Sequence, residues 1–145
     1  MEVIALGSDH GGFELKTAII AHLKELGYEV KDYGTNSKES CDYPEYGKAV
    51  GKAVVNGEAD FGIVICSTGI GISIAANRIK GVRAALCTDS YMAKMTRLHN
   101  NANVLAMGAN VIGTSLAIDI TDTFLNTKFS NEERHIRRIG KIEEL

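Results

Sequence analysis

The sequence has no tryptophan, a single proline and only three cysteines, Cys41, Cys66 and Cys87. The cysteines are odd in number, widely separated and form no CxxC pair, which excludes a disulfide framework and a zinc site of familiar spacing. No apolar stretch approaches the roughly 18 residues that a membrane-spanning helix needs. No basic segment precedes the first apolar run, so we expect no signal peptide and a cytoplasmic protein.

Neither sign of charge predominates, since the net charge is −2 at pH 7 with 23% charged residues. Nucleic acids and membrane surfaces favour basic proteins, so we expect neither as a partner. A length of 145 residues with 45% hydrophobic content is that of one globular domain.

Apolar runs alternate with segments of helical spacing along the whole chain. The first helix is predicted over 13–26, where Gly27 ends it. The predicted strands are 3–7, 28–34, 61–66, 82–87 and 103–108. Further helices are predicted over 44–57, from within 68–78, over 89–98, over 114–125 and in the charged tail 131–145. Apolar strands alternating with helices indicate a mostly parallel sheet covered on both faces. We therefore predict a single-domain, three-layer, doubly wound (Rossmann-like) α/β fold of about five strands.

In such a sheet the ligand lies beyond the carboxyl ends of the strands, which directs attention to four turns. These are "GSDHGG" (7–12), "CSTGIGIS" (66–73), "CTDSY" (87–91) and "GANVIGT" (108–114), of which the first two are examined for a nucleotide motif. The second has Gly69 and Gly71 but Ile74 where a dinucleotide fingerprint requires a third glycine. Neither turn ends in the Gly-Lys-Ser/Thr of a P-loop. A nucleotide cofactor is therefore disfavoured, while the attraction of helix-start N–H groups for negative charge remains.

Cys66 stands at the entrance of the second turn. A strand-end cysteine is most often a small buried hydrophobe. Beside a helix N-terminus, however, the thiolate is stabilised and the thiol becomes reactive. Cys87 ends another strand without glycines after it, so we interpret it as structural, and Cys41 has no predicted role.

Asp9 and His10 follow the first strand and are expected at the same sheet edge as Cys66. Asp9 could instead simply cap the helix that begins near Phe13. The consecutive carboxylate and imidazole between small residues favour a site.

His99 and Asn100 close the helix after the fourth strand, and we expect them at that same edge. Alternatively His99 interacts with the negative end of its helix and Asn101 is the cap. Arg134 and Arg138 are four residues apart, on one face of the last helix. They are either part of a solvated surface or a clamp for an anion such as phosphate.

Together these stretches resemble the ribose-5-phosphate isomerase B family, in the family's order and over nearly the whole chain. The matching segments are "GSDHGGFELK", "DYP", "CSTGIGISIAANR", "HNNANVLAMG" and "RHIRR". The related galactose-6-phosphate isomerase subunits share much of the pattern and are the alternative. A flavodoxin-like phosphate- or nucleotide-binding module is the alternative from another class. It would leave the two histidine motifs without a role.

The resemblance implies interconversion of ribose 5-phosphate and ribulose 5-phosphate, with no metal and no cofactor. Cys66 would transfer the proton, His99 would open the sugar ring, and Asp9 and Thr68 would assist. The implied substrate-binding residues are Asp9, His10, Tyr43, Ser67, Gly69, Ile70, Gly71, Asn100, Arg134 and Arg138. It also implies a homo-oligomer, dimer or tetramer, with shared sites and an interface formed by the tail from about residue 130.

One position departs from the family, since Asn110 stands where many members carry arginine. Loss of a charge-assisted hydrogen bond would weaken phosphate binding by about 1 to 3 kcal/mol. We therefore hypothesise that unphosphorylated aldoses are secondary substrates.

Overall fold

Five parallel strands form one sheet in the computed structural model, which describes residues 2–145. The strands are β1 (Val3–Ser8), β2 (Glu29–Asp32), β3 (Phe61–Cys66), β4 (Ala84–Leu86) and β5 (Val104–Gly108). Their order is β2-β1-β3-β5-β4, and every adjacent pair is parallel. The chain leaves β1 towards one side for β2 and returns to the other side for β3. The carboxyl ends of β1 and β3 therefore flank the topological switch point, where open α/β sheets bind ligands.

Six α-helices lie within residues 2–145. They are α1 (Phe13–Glu25), α2 (Tyr43–Val55), α3 (Ile70–Asn77), α4 (Ser90–Met95), α5 (Thr114–Asn126) and α6 (Glu133–Glu143). A 3₁₀ turn at His10–Gly12 precedes α1, and a π-helical turn at Thr96–Asn100 extends α4. None of the helices within residues 2–145 has the length and apolar character needed to span a membrane.

Successive residues of a strand point to opposite faces, and the core follows this alternation. Ile4 and Leu6 of β1 pack in one buried cluster with Ile19 of α1 and Phe124 of α5. Ala5 belongs to the second cluster, which contains residues of α2 and α3. The predicted three-layer, doubly wound α/β fold is thereby confirmed.

The predicted bounds are least accurate at the two edges of the sheet. The strands predicted over 28–34 and 82–87 shorten to Glu29–Asp32 and Ala84–Leu86. Each of these strands pairs with one neighbour only, so its ends lack a second ladder of hydrogen bonds. Asn101 adopts φ 46° and ends the helical segment after β4, which confirms the capping interpretation of that residue.

Candidate active site

Cys66 is the last residue of β3, and its side chain is only 5% exposed. The backbone N–H of Gly69 donates to the Cys66 Sγ at 3.2 Å. This contact becomes possible because Gly69 has φ +77°, a left-handed conformation that turns its amide back towards the strand end. This donor holds the sulfur at the entrance of the turn, directly before the start of α3.

The turn after Cys66 lies directly against the end of β5. A Cβ on Gly69 would be 2.7 Å from the carbonyl carbon of Met107, and one on Gly108 would be 2.5 Å from the Thr68 carbonyl. Such distances are far inside van der Waals contact, so neither glycine can be replaced without moving backbone. Thr68 Oγ accepts from the Ile70 N–H at 3.2 Å and stabilises the same turn.

Two further hydrogen bonds attach the segment after β5 to this turn. The Ala109 N–H donates to the Cys66 carbonyl and the Asn110 N–H donates to the Ser67 carbonyl, both at 2.9 Å. Asn110 therefore lies beside the turn, at the carboxyl edge of the sheet. Its exposed side chain contributes an amide and no positive charge there.

Asp9 lies beside β3 at the same edge. Its N–H donates to the Ile65 carbonyl at 3.3 Å, and its Oδ1 accepts from the Gly12 N–H at 3.1 Å. Asp9 therefore caps the 3₁₀ turn His10–Gly12, while the N-cap of α1 itself is Gly12. The same contact fixes the carboxylate next to the strand that ends in Cys66. Asp9 is almost fully buried.

His10 accepts a hydrogen bond at Nδ1 from the backbone N–H of Cys41, at 3.2 Å. The two glycine-rich turns also touch, because a Cβ on Gly11 would collide with the Ser67 Oγ. No sequence signal marks the role of Cys41, since its backbone amide makes this contact and any residue type except proline carries one.

Tyr43 starts α2 and covers the first turn of α3. A Cβ on Gly71 would lie 2.6 Å from the Tyr43 ring. In the first turn of α3 the Ile70 N–H is already used by Thr68 Oγ. The Gly71 N–H has no intrahelical acceptor and is available to an anion. Ile70 stands beside this group and is half exposed. The structure therefore brings together Cys66, the turn Ser67–Gly71, Asp9, His10 and Tyr43.

His99 and Asn100 lie elsewhere, and the expectation that they share the edge of Cys66 is wrong. The Asn100 carbonyl accepts at 3.0 Å from the Arg83 side chain, which directly precedes β4. Helices joining parallel strands run back to the amino-terminal edge, and these residues end such a helix just before β5. The length of β5 separates the two edges of the sheet: its five residues span roughly 15 Å at about 3.3 Å per residue.

Helix α6 packs on the same amino-terminal edge. The His135 ring stacks on the His99 ring with centroids 4.3 Å apart and planes 17° apart. Burial, followed by the neighbouring His99 and Arg134, lowers the pKa of His135 below its usual value. Arg134 pairs with Glu132 at 2.9 Å, and both Arg134 and Arg138 are exposed. These two arginines therefore accompany His99 and not Cys66.

Burial raises the pKa of the Cys87 thiol to about 12, which agrees with a structural role. Within residues 2–145 no three His, Cys, Asp or Glu side chains converge as metal ligands do.

An open parallel α/β sheet with a cysteine and a glycine-rich turn at its switch point is the construction in which α/β proteins bind anionic ligands. The chain belongs to the ribose/galactose isomerase family, whose model matches residues 4–142. It is 50% identical over 142 residues to ribose-5-phosphate isomerase B of Escherichia coli K12, covering 98% of this chain and 95% of that protein. The solved structure of Clostridium thermocellum ribose-5-phosphate isomerase B superposes with a TM-score of 0.97 at 57% identity, covering 98% and 95% of the two chains. The ribose 5-phosphate isomerase of Thermotoga maritima gives a TM-score of 0.97 at 52% identity, with 99% of each chain covered.

Proposed function

We propose that this protein is an aldose–ketose isomerase that interconverts ribose 5-phosphate and ribulose 5-phosphate, a step of the pentose phosphate pathway. The observation that carries the proposal is the 3.2 Å hydrogen bond from the Gly69 N–H to the Cys66 Sγ. Asp9 and His10 at the end of the adjacent strand complete a polar site around that sulfur. The relatives named above act on this sugar phosphate according to their names.

In the proposed reaction the Cys66 thiolate takes the proton from C2 of the open-chain aldose. The electron pair left on C2 forms the C1–C2 double bond of the enediolate, with the negative charge on O1. The proton of the O2 hydroxyl then moves to O1, and the thiol returns its proton to C1 as the C2 carbonyl of the ketose forms. A well-placed base contributes on the order of 10²–10⁴ in rate. The N–H groups of the turn Ser67–Gly71 stabilise the enediolate oxygen, and each such donor is worth on the order of 10²–10³.

A second copy of the chain completes this site in our proposal. A ring-opening role for His99 requires that residue near Cys66, yet one chain holds the two at opposite edges of its sheet. Helix α6 buries only His135 and leaves Ile136 51% and Ile142 47% exposed. Ile70 and Ile74 of α3 are also more than half exposed, beside the Cys66 turn. A homodimer, alone or within a tetramer, that packs the tail from about residue 130 against the partner would bury these apolar side chains.

The same arrangement supplies charge for the phosphate. Arg134 and Arg138 would reach the partner's site together with His99 and Asn100, since α6 stacks on that segment. The neutral Asn110 adds no cation from the first chain, and free aldoses are accordingly the expected secondary substrates. All three cysteines are unpaired, as in the reducing cytoplasm, where we place the protein.

A side-by-side assay tests the proposal with ribose 5-phosphate, galactose 6-phosphate and free six-carbon aldoses. We expect the highest kcat/KM for ribose 5-phosphate and weak turnover of free aldoses. A preference for galactose 6-phosphate would show that the protein is a galactose-6-phosphate isomerase instead. Undetectable turnover of every free aldose would remove the secondary-substrate hypothesis. Thermal stabilisation by nucleotides and not by pentose phosphates would favour a binding module.

A further inference from the structure

Lys16 of α1 is a charged side chain in the interior, with only 1% of it exposed. Its ammonium donates to Asp32 Oδ1 at 2.5 Å and to the Thr35 carbonyl at 2.7 Å. It also lies 5.7 Å from the centroid of the Phe13 ring. Burying an ammonium is costly unless its hydrogen bonds are made, so these partners are held firmly.

The partners of Lys16 belong to the segment that leads from β2 to the site. Asp32 Oδ1 also accepts from the Gly34 N–H at 2.9 Å. The Ser8 N–H donates to the Gly34 carbonyl and the Thr35 N–H donates to the Ser8 carbonyl, both at 2.7 Å. Lys16 therefore binds the segment that these two backbone hydrogen bonds join to the last residue of β1, immediately before Asp9 and His10.

The chain from Thr35 then runs through exposed residues 36–40 and returns to the site at Cys41. There the Cys41 N–H meets His10 Nδ1 at 3.2 Å. A backbone N–H can only donate, so Nδ1 must be the unprotonated nitrogen. The ring proton of neutral His10 is then on Nε2, which makes Nε2 a donor.

We infer that Lys16 is a positioning residue for His10. Through Asp32 and Thr35 it holds the loop 35–42, so that the Cys41 amide keeps His10 in the Nε2–H tautomer. In this tautomer His10 can donate a hydrogen bond to a sugar oxygen. The inference rests on the proposed function for the identity of the acceptor, but the tautomer belongs to the unliganded protein. Lys16 itself is distant from the reacting atoms in this scheme and acts only through His10.

The test compares Lys16→Met with Ile19→Ala, a buried apolar position one turn further along α1. Ile19 belongs to the buried apolar cluster with Ile4, Leu6 and Phe124, so its variant reports general destabilisation. Two-dimensional ¹H–¹⁵N spectra of the imidazoles, assigned with His10→Gln, identify the protonated nitrogen. Steady-state assays with ribose 5-phosphate separate KM from kcat.

We expect wild type and Ile19→Ala to show Nε2–H at His10, and Lys16→Met to show a mixture of tautomers. For Lys16→Met we also expect KM to rise about tenfold with a smaller change in kcat, as for a lost binding contact. A wild-type His10 protonated at Nδ1 would overturn the tautomer assignment. An unchanged tautomer and KM in Lys16→Met would overturn the role of Lys16.

Should Lys16→Met fail to fold, Asp32→Asn gives the same readouts, because Asp32 lies at the solvent edge and its amide oxygen still accepts from Gly34. A protein that does not turn over ribose 5-phosphate would refute the proposed function while its Nε2–H signal stayed intact. The two failures are therefore distinguishable.

Discussion

Candidate site residues lie at both edges of the sheet, and they differ in burial and in how they are held. At the carboxyl edge Cys66 and Asp9 are buried and hydrogen-bonded to backbone N–H groups of their own turns. At the amino edge His99, Arg134 and Arg138 are exposed, and α6 buries a single histidine beneath them. In the proposed reaction the first edge is preorganised by its own chain for proton transfer, whereas the second would present the ring-opening and phosphate-binding groups outward. This difference is what a site assembled from two copies requires.

Removal of the thiol tests the preorganised edge most severely. Cys66→Ala should lower kcat on the order of 10²–10⁴ because the proton-transfer base is gone. Circular dichroism and the melting temperature should change little. Cys87→Ala is the matched control, a buried thiol at the end of another strand segment, and it should retain turnover. Near wild-type activity of Cys66→Ala would exclude Cys66 as the base.

Crowding the turn is expected to have the next largest effect. Gly71→Ala places a methyl group against the Tyr43 ring at 2.6 Å, so the ring or the start of α3 must shift. Misplacement of about 1 Å in a site costs on the order of 10² in rate. Gly113→Ala is the control, since nothing lies within 4 Å of its added Cβ. Equal kcat/KM in the two variants would show that the turn tolerates movement.

The exposed edge should respond in binding and not in folding. Arg134→Ala and Arg138→Ala should each raise KM for ribose 5-phosphate about tenfold or more, as expected for a charge-assisted hydrogen bond. Their melting temperatures should match wild type because both side chains are exposed. Arg137→Ala on the same helix is the control. An unchanged KM in both test variants would show that these residues belong to a solvated surface and do not bind the phosphate.

The smallest expected effect is a pH dependence of stability at the amino edge. The pKa of His135 is lowered in the folded chain by burial and by its cationic neighbours. The unfolded chain therefore binds this proton first, and the free energy of unfolding falls as the pH drops below about 6.5, until it levels off below the folded pKa. His135→Phe keeps a ring against His99 and should flatten this fall in urea titrations. If the free energy of unfolding falls equally steeply with pH in wild type and His135→Phe, His135 is not the source of the pH dependence.

The parts of the fold that follow local rules could be predicted from sequence. β3 and α1 match their predicted bounds within a residue, because periodicity and capping residues are local signals. The carboxyl edge of the site was predictable for the same reason, since Cys66 and its glycines are one contiguous turn. The position of His99 follows from the predicted parallel sheet as well, because a helix that joins two parallel strands ends at the amino edge, and the expected shared edge neglected that direction. The His10 contact with the Cys41 amide depends on the path of a loop, which side-chain identity does not specify.

The most direct test of a shared site is complementation between two inactive chains. Cys66→Ala and His99→Asn proteins would be unfolded together, refolded at equal concentration and assayed against each refolded alone. Random pairing of the two chains makes half of the dimers mixed. If Cys66 of one subunit works with His99 of its partner, each mixed dimer has one intact site. The mixture should then recover about a quarter of wild-type activity. No recovery, in a mixture shown by mass spectrometry to contain mixed dimers, would contradict the account.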